Sequence, residues 1–360
     1  MNGMSRVLQI AQKIIQDKWL AFFGLLALSA LAYGHVVTGD FFLDDYSLIV
    51  KNESVHSFKN ILAWFSEHRL YGTAQESNLY RPIPTLINGL LYFFFGASPV
   101  YFHIFNILLH ALNAFLAFTL LKRLSFSHIF SFIVAVFFGI HPVKNESVSY
   151  IAGMTDLLAA CFVLLTLTVF AKKELTRKDL LLCTLLTMLA LLSKESNVML
   201  AALMLTVWYA GLTKVVTSKR MHFLAIATAL LFSILLLIAR FTILDFNSTG
   251  IGLATEANEY TTNLIVRLIT FVSTIPTYLG LIFFPLNLYF FKPYVYATTL
   301  LTPLGITGLI LIGGSIAGVI FNHFNSKSRS VGTENRQTSF AVLWFFILLI
   351  PVSGIIPANA

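Results

Sequence analysis

The feature that most limits what this chain can become is a series of apolar runs about 20 residues long, separated by short segments that carry Lys and Arg. At about 1.5 Å per residue, such a run covers roughly 30 Å of bilayer hydrocarbon as a helix. The chain is 57% hydrophobic and only 11% charged, where soluble proteins average about a quarter charged. The fold class expected is therefore an all-α polytopic membrane protein. The net charge of +8 does not point to nucleic acid, because the cations sit in short loops between apolar runs. That is the pattern of loops held on the cytoplasmic side. Cys161 and Cys183 both lie inside apolar runs and read as unpaired small hydrophobes.

Charge bias orders the spans. Lys13 and Lys18 precede Trp19–Val37, so the first span starts in the cytoplasm. Residues 38–100 form a first extracytoplasmic loop. It is too polar to cross, with Lys51, Glu53, Lys59, Glu67, Arg69, Glu76 and Arg81 scattered through it. Its apolar piece Leu86–Phe95 suits an interfacial helix, entered rigidly through Arg81-Pro82-Ile83-Pro84. The second span, Tyr101–Leu121, carries His103, Asn106, His110 and Asn113 at steps that share one helical face. Phe126–Ile140 returns outward, and Tyr150–Ala171 goes in again. On that stretch Asn145, Ser149 and Asp156 are expected on one stripe, with Gly153 as a point of close approach. Leu180–Leu212 must cross twice, because the basic segments on both sides of it, Lys172–Lys178 and Lys214–Arg220, read as cytoplasmic. Met221–Arg240 then ends outside. Leu264–Phe284 is expected to be re-entrant or interfacial, which lets Leu300–Phe321 cross inward and keeps Asn322–Thr338 inside. The last span, Phe340–Pro351, points outward. The chain is read as one transmembrane domain over residues 1–360 whose C-terminal part is truncated.

This parity places Asp44, Asp45, His141, Glu146, Lys194 and Glu195 on one outer side. Paired carboxylates directly after a span become useful where lipid and protein exclude water. Asp44 and Asp45, being adjacent, point different ways on any regular backbone. One can take a proton while the other orients a substrate or an ion. The bland alternative is a hydrated loop pair or a helix cap. Arg81, Lys194 and Arg267 can hold phosphate, Arg bidentately and Lys as a point charge. Lys194 can equally pair with Glu195, and Arg267 can snorkel. His141, Glu146 and Asp156 can orient a sugar or carry a divalent cation. They lack zinc spacing, and whether any metal is needed stays open. One echo stands apart: Val50–Val55 and Val143–Val148 both read Val-Lys-Asn-Glu-Ser-Val.

Taken in order, several groups of residues resemble one family. They are Asp44-Asp45 after the first span, Arg81-Pro82, His103 with Asn106 and His110, His141-Pro142-Val143 with Glu146 and Asp156, and Lys194-Glu195. The pattern resembles the GT-C superfamily of polyprenyl-phosphate-dependent glycosyltransferases. Within it, the chain is most similar to transmembrane O-mannosyltransferases that carry C-terminal tetratricopeptide repeats, and to their bacterial relatives. The resemblance implies a polyprenyl-phosphate sugar donor, possibly mannosyl, and an acceptor protein or glycan. It further implies inversion with Asp44 as base, and a site on the extracytoplasmic face of a bacterial inner membrane or the endoplasmic reticulum. Two departures accompany it. Met154 stands where the family commonly has Arg, and the repeats are absent. The competing classes are a transporter or lipid flippase, and a non-catalytic envelope scaffold.

Overall fold

The computed structural model describes residues 17–75, 77, 79–209, 219–243, 259–286, 288–290, 295–325 and 332–355. Among these residues there are helices and no strands. Among the described residues, seven helices are long and apolar enough to cross a membrane. The protein is an all-α, multi-pass integral membrane protein. It divides into two compact units, Met1–Leu200 with Thr213–Asn247, and Ala201–Leu212 with Ser248–Ala360.

In the first unit, α1 (Lys18–Tyr33) starts where the Asp17 carboxylate accepts from the Trp19 and Leu20 amides, satisfying donors that a helix start leaves orphaned. A 3-10 turn extends it to Thr38. The polar stretch that follows folds into short turns, with α2 (Ile61–Ser66) among them. α3 (Pro82–Phe95) opens on proline, as the sequence predicts, and is too short to span. α4 (Pro99–Arg123) is the central helix and packs against α1, α5 (His128–Ile140) and α7 (Met154–Phe170). Small residues let these helices close up: Ala21, Ala114 and Ala135 join Leu25 and Phe118 in one buried cluster.

α5 does not continue directly into its successor. The segment Pro142–Ser149, which contains α6 (Asn145–Ser149), is bent 49° away from it. His141 precedes proline and is therefore extended, with φ −69° and ψ 127°. A second break follows at Tyr150, again extended, before α7. The expected stripe of Asn145, Ser149 and Asp156 needed one continuous helix, so the break limits it. Ser149 does donate to Asn145 Oδ1 at 2.6 Å, but Asp156 lies beyond the break. α8 (Arg177–Ser193) begins with a Thr176–Asp179 capping box and packs on α7 and on α10 (Lys219–Thr242).

In the second unit stand α9 (Leu200–Tyr209, from Ala201 onward), α11 (Glu259–Thr262), α12 (Leu264–Phe283), α13 (Pro303–Asn325) and α14 (Gly332–Leu349). Gly308 allows α13 to touch the Val272 carbonyl of α12, where a Cβ has no room. The segment expected to be re-entrant or interfacial is one continuous helix of spanning length.

Candidate active site

The two aspartates that the sequence cannot separate have opposite surroundings. Asp45 is 1% exposed. Its Oδ2 accepts from the Phe42 amide at 2.9 Å, and its Oδ1 accepts from the Ala152 amide at 2.8 Å. It therefore latches its own turn to the break before α7. Burial outweighs those two amides and lifts its carboxyl to about 6. Asp44 is exposed. Its amide donates to the Tyr150 hydroxyl at 3.0 Å. Leu43, immediately before it, has φ +44°, a left-handed value rare outside glycine, so a strained turn leads directly into the exposed Asp44. Below them Phe41, Leu48, Ile49, Phe102 and Ile151 form an apolar floor.

Tyr150 ties the break to the aspartates. Burial, and then the charges of Asp44 and Asp45, push its hydroxyl well above the usual tyrosine range, so it stays protonated. The break itself is held by Asn106 of α4. Its Nδ2 donates to the carbonyls of Val148, Tyr150 and Ile151 at 3.4, 3.1 and 3.4 Å. Two other members of the polar face do similar work along α4. His110 bonds the Gly139 carbonyl at 3.1 Å, and Asn113 donates to Leu157 O at 2.8 Å. These bonds run from one face of α4 to its neighbours, as residues at steps of three and four on a helix allow. Gly153 makes its close approach to α6 rather than to a neighbouring span: a Cβ there meets Ser147 O at 2.6 Å.

Several cations are held on the elements that flank this turn. Arg81, the residue before α3, forks onto Glu195 with contacts of 3.0 to 3.3 Å. Lys194 pairs with Asp156 of α7. Lys194 and Glu195 therefore do not pair with each other. Each reaches a different element, and together they stitch α3, α7 and the turn after α8. Lys144 lies 4.9 Å over the Phe138 ring, within the field of Asp156.

Arg69 is the residue sequence reasoning missed. It is 9% exposed, and its Nη2 donates to Thr155 Oγ1 at 2.9 Å. Burial, then the neighbouring Arg81, draw its guanidinium down to about 10, with Glu195 and Asp44 pulling the other way. It remains charged at neutral pH. Read from the sequence, it is one of many charges in a polar loop; only its neighbours in space single it out.

His141 has a structural job. Its Nδ1 accepts from the Val143 amide at 3.2 Å, and its carbonyl accepts from the Tyr33 hydroxyl at 2.8 Å. Glu146 is exposed on α6. Among the described residues, no three His, Cys, Asp or Glu side chains converge as a metal site, and His141, Glu146 and Asp156 do not form one. Arg267 belongs to the second unit. There it donates to the carbonyls of Tyr260, Thr261 and Ile355, at 2.8 to 3.2 Å.

Comparison with known proteins finds curated relatives over part of the chain. The chain is 33% identical over 184 residues to protein O-mannosyl-transferase F38B6.6 of Caenorhabditis elegans, covering 49% of this chain and 26% of that protein. Human protein O-mannosyl-transferase TMTC1 is 33% identical over 146 residues, 39% of this chain and 17% of its own. Mouse protein O-mannosyl-transferase TMTC4 is 30% identical over 199 residues, 48% and 27% respectively. The matches thus span about a quarter or less of these relatives. No family model and no solved structure matches the chain.

Proposed function

We propose that this protein is a membrane glycosyltransferase that moves a sugar, mannose by similarity to its relatives, from a polyprenyl-phosphate donor to an acceptor hydroxyl at the extracytoplasmic face. The observation that carries the proposal is the division of labour at Asp44–Asp45. An exposed carboxylate is presented by a strained turn, a buried one holds that turn, and Arg69 stands within their field.

Transfer needs a base for the acceptor hydroxyl and positive charge for the departing phosphate. Asp44 takes the acceptor proton as its oxygen attacks the anomeric carbon from the face opposite the phosphate, so the configuration inverts. The bond from the anomeric carbon to the phosphate oxygen breaks, and the electron pair leaves with the lipid phosphate. Arg69, Arg81, Lys194 and Lys144 supply the positive field. The first is buried and already oriented by Thr155, so it loses little freedom on binding. Exposed Phe42 and Leu43 beside Asp44 suit the first isoprene units of a lipid donor. The acceptor is a protein or a glycan. A divalent cation, where one is used, adds to the positive field at the phosphate.

The test is transfer by the purified chain in lipid, given a panel of labelled polyprenyl-phosphate sugars. Asp44→Asn keeps the side chain's size and removes its basicity. It is expected to lower transfer by at least about a hundredfold, the scale of a lost general base, with an unchanged melting temperature. Transfer at the normal rate by that variant rules out the base.

A further inference from the structure

The end of the first unit remote from Asp44 carries a second feature. α1 and α4 run in opposite directions. Gly39, just past α1, lies beside His103 near the start of α4, whereas Lys18 lies beside the last turns of α4. At about 1.5 Å per residue, the 25 residues of α4 separate the two ends by more than 30 Å. Between Lys18 and the end of α4 is a cavity of about 390 Å³, lined by Lys18, Phe115, Phe118, Thr119, Lys122 and Arg123.

Its chemistry is one-sided. Three of the six lining residues are cations, and none is acidic. Asp17, next to Lys18, and Asp179, whose charge acts on Arg123, are already committed. Asp17 caps α1, and Asp179 is bonded to Lys172 and Thr176. Lys122 Nζ sits 4.9 Å over the Phe118 ring, and one Arg123 nitrogen donates to Thr168 O. Among the described residues neither of these cations, nor Lys18, has a salt-bridge partner. Thr119 gives its hydroxyl to Phe115 O, so the floor presents two aromatic rings. Allowing about 30 Å³ per water, the volume holds roughly a dozen waters, enough for a phosphate headgroup and too little for a whole lipid. The hydrocarbon must lie outside, where Trp19, Leu20 and Phe23 of α1 are exposed.

We infer that this cavity binds the phosphate headgroup of an anionic phospholipid of the surrounding bilayer. Cations over an apolar floor, at the ends of two membrane-length helices, match a group that is anionic at its head and apolar at its tail. A free phosphate meets only half of that surface. The site is separate from the proposed transfer site and does not depend on its chemistry.

The experiment uses the full chain in an uncharged detergent, titrated with phosphatidylglycerol or phosphatidylcholine and read by native mass spectrometry. Wild type is expected to retain phosphatidylglycerol preferentially. Each cation is worth roughly fivefold at an anionic lipid surface, so Lys18→Gln with Lys122→Gln is expected to weaken retention roughly thirtyfold. Lys18→Arg with Lys122→Arg keeps the charge and is expected to keep the lipid. Lys173→Gln with Lys178→Gln removes equal charge from exposed positions outside the cavity and is expected to change little. Equal retention by the Lys18/Lys122 glutamine variant overturns the inference, as does an equal loss in the Lys173/Lys178 variant. Displacement of the lipid by millimolar inorganic phosphate also overturns it, assigning the cavity to a free anion.

Discussion

At Asp45, stability and pH are linked with a definite sign. Its folded carboxyl stands at about 6, above the ordinary 3.8. Between those values the folded chain holds a proton that the unfolded chain has released, so stability falls as pH rises from about 4 to about 6. Two units correspond to about 2–3 kcal/mol. Asp45→Asn has no such titration. Its stability relative to wild type is expected to climb across that window by up to this amount, read as the difference in melting temperature at pH 4 and pH 7. It also offers an amide NH₂ where one backbone N–H now donates, so it is expected to start lower by about 1–3 kcal/mol. A flat difference across the window contradicts the burial of this carboxyl. The pair itself was legible in the sequence, because two carboxylates after a span are unusual. Which one was buried was not, since the deciding partner, the Ala152 amide, lies 107 residues away. Arg69 was illegible for the same reason: Thr155, its hydrogen-bond partner, is 86 residues distant.

The element that positions the site is the broken segment from His141 to Gly153, and two glycines, Gly153 at its end and Gly139 in α5 just before it, allow a controlled test. At Gly153 a Cβ meets the backbone carbonyls of Ser147 and Glu146 at 2.6 and 2.8 Å, and backbone cannot step aside as a side chain can. Gly153→Ala is expected to cost about 1–3 kcal/mol, the range of an overpacked site. It should also impair transfer at temperatures where the chain is still folded, because the Ala152 amide moves away from Asp45. At Gly139 the Cβ meets only side-chain atoms, Ser29 Oγ at 3.4 Å and Ala114 Cβ at 3.5 Å. Gly139→Ala is expected to leave both readouts nearly unchanged. Comparing melting curves and transfer rates of the two variants checks the pair. Spans and caps were legible here because apolar length, Pro and Ser/Thr/Asp signals act locally. The second break was not, because Tyr150 carries no breaking signal and is held extended by Asn106 from another helix. The Val-Lys-Asn-Glu-Ser-Val echo makes the same point. In its first copy Asn52 caps a 3-10 turn, and in its second Asn145 begins α6. Identical hexapeptides take different shapes because their surroundings decide.

For the molecule as a whole, the open matter is how the last spans alternate. Length and composition allow α12 to cross. Charge argues otherwise. If α12 and α13 both cross, the stretch leading into the start of α14, with Lys327, Arg329 and Arg336, falls on the extracytoplasmic side, against the bias that keeps Lys and Arg in cytoplasmic loops. If α12 lies in the interface, α13 alone crosses and those cations stay inside. Cys161 and Cys183 are buried, which leaves engineered thiols as the reporters. With Glu259→Cys before α12, Tyr289→Cys after it and Glu334→Cys near the start of α14, an impermeant maleimide applied to sealed vesicles is expected to treat the first two alike. Glu334→Cys should react with the opposite sidedness. If Tyr289→Cys instead sides with Glu334→Cys, α12 crosses in full, and a second full crossing by α13 then has to lie between Tyr289 and Glu334, which their shared side forbids. That result would make α13 the interfacial helix, despite a length and hydropathy that also permit it to span.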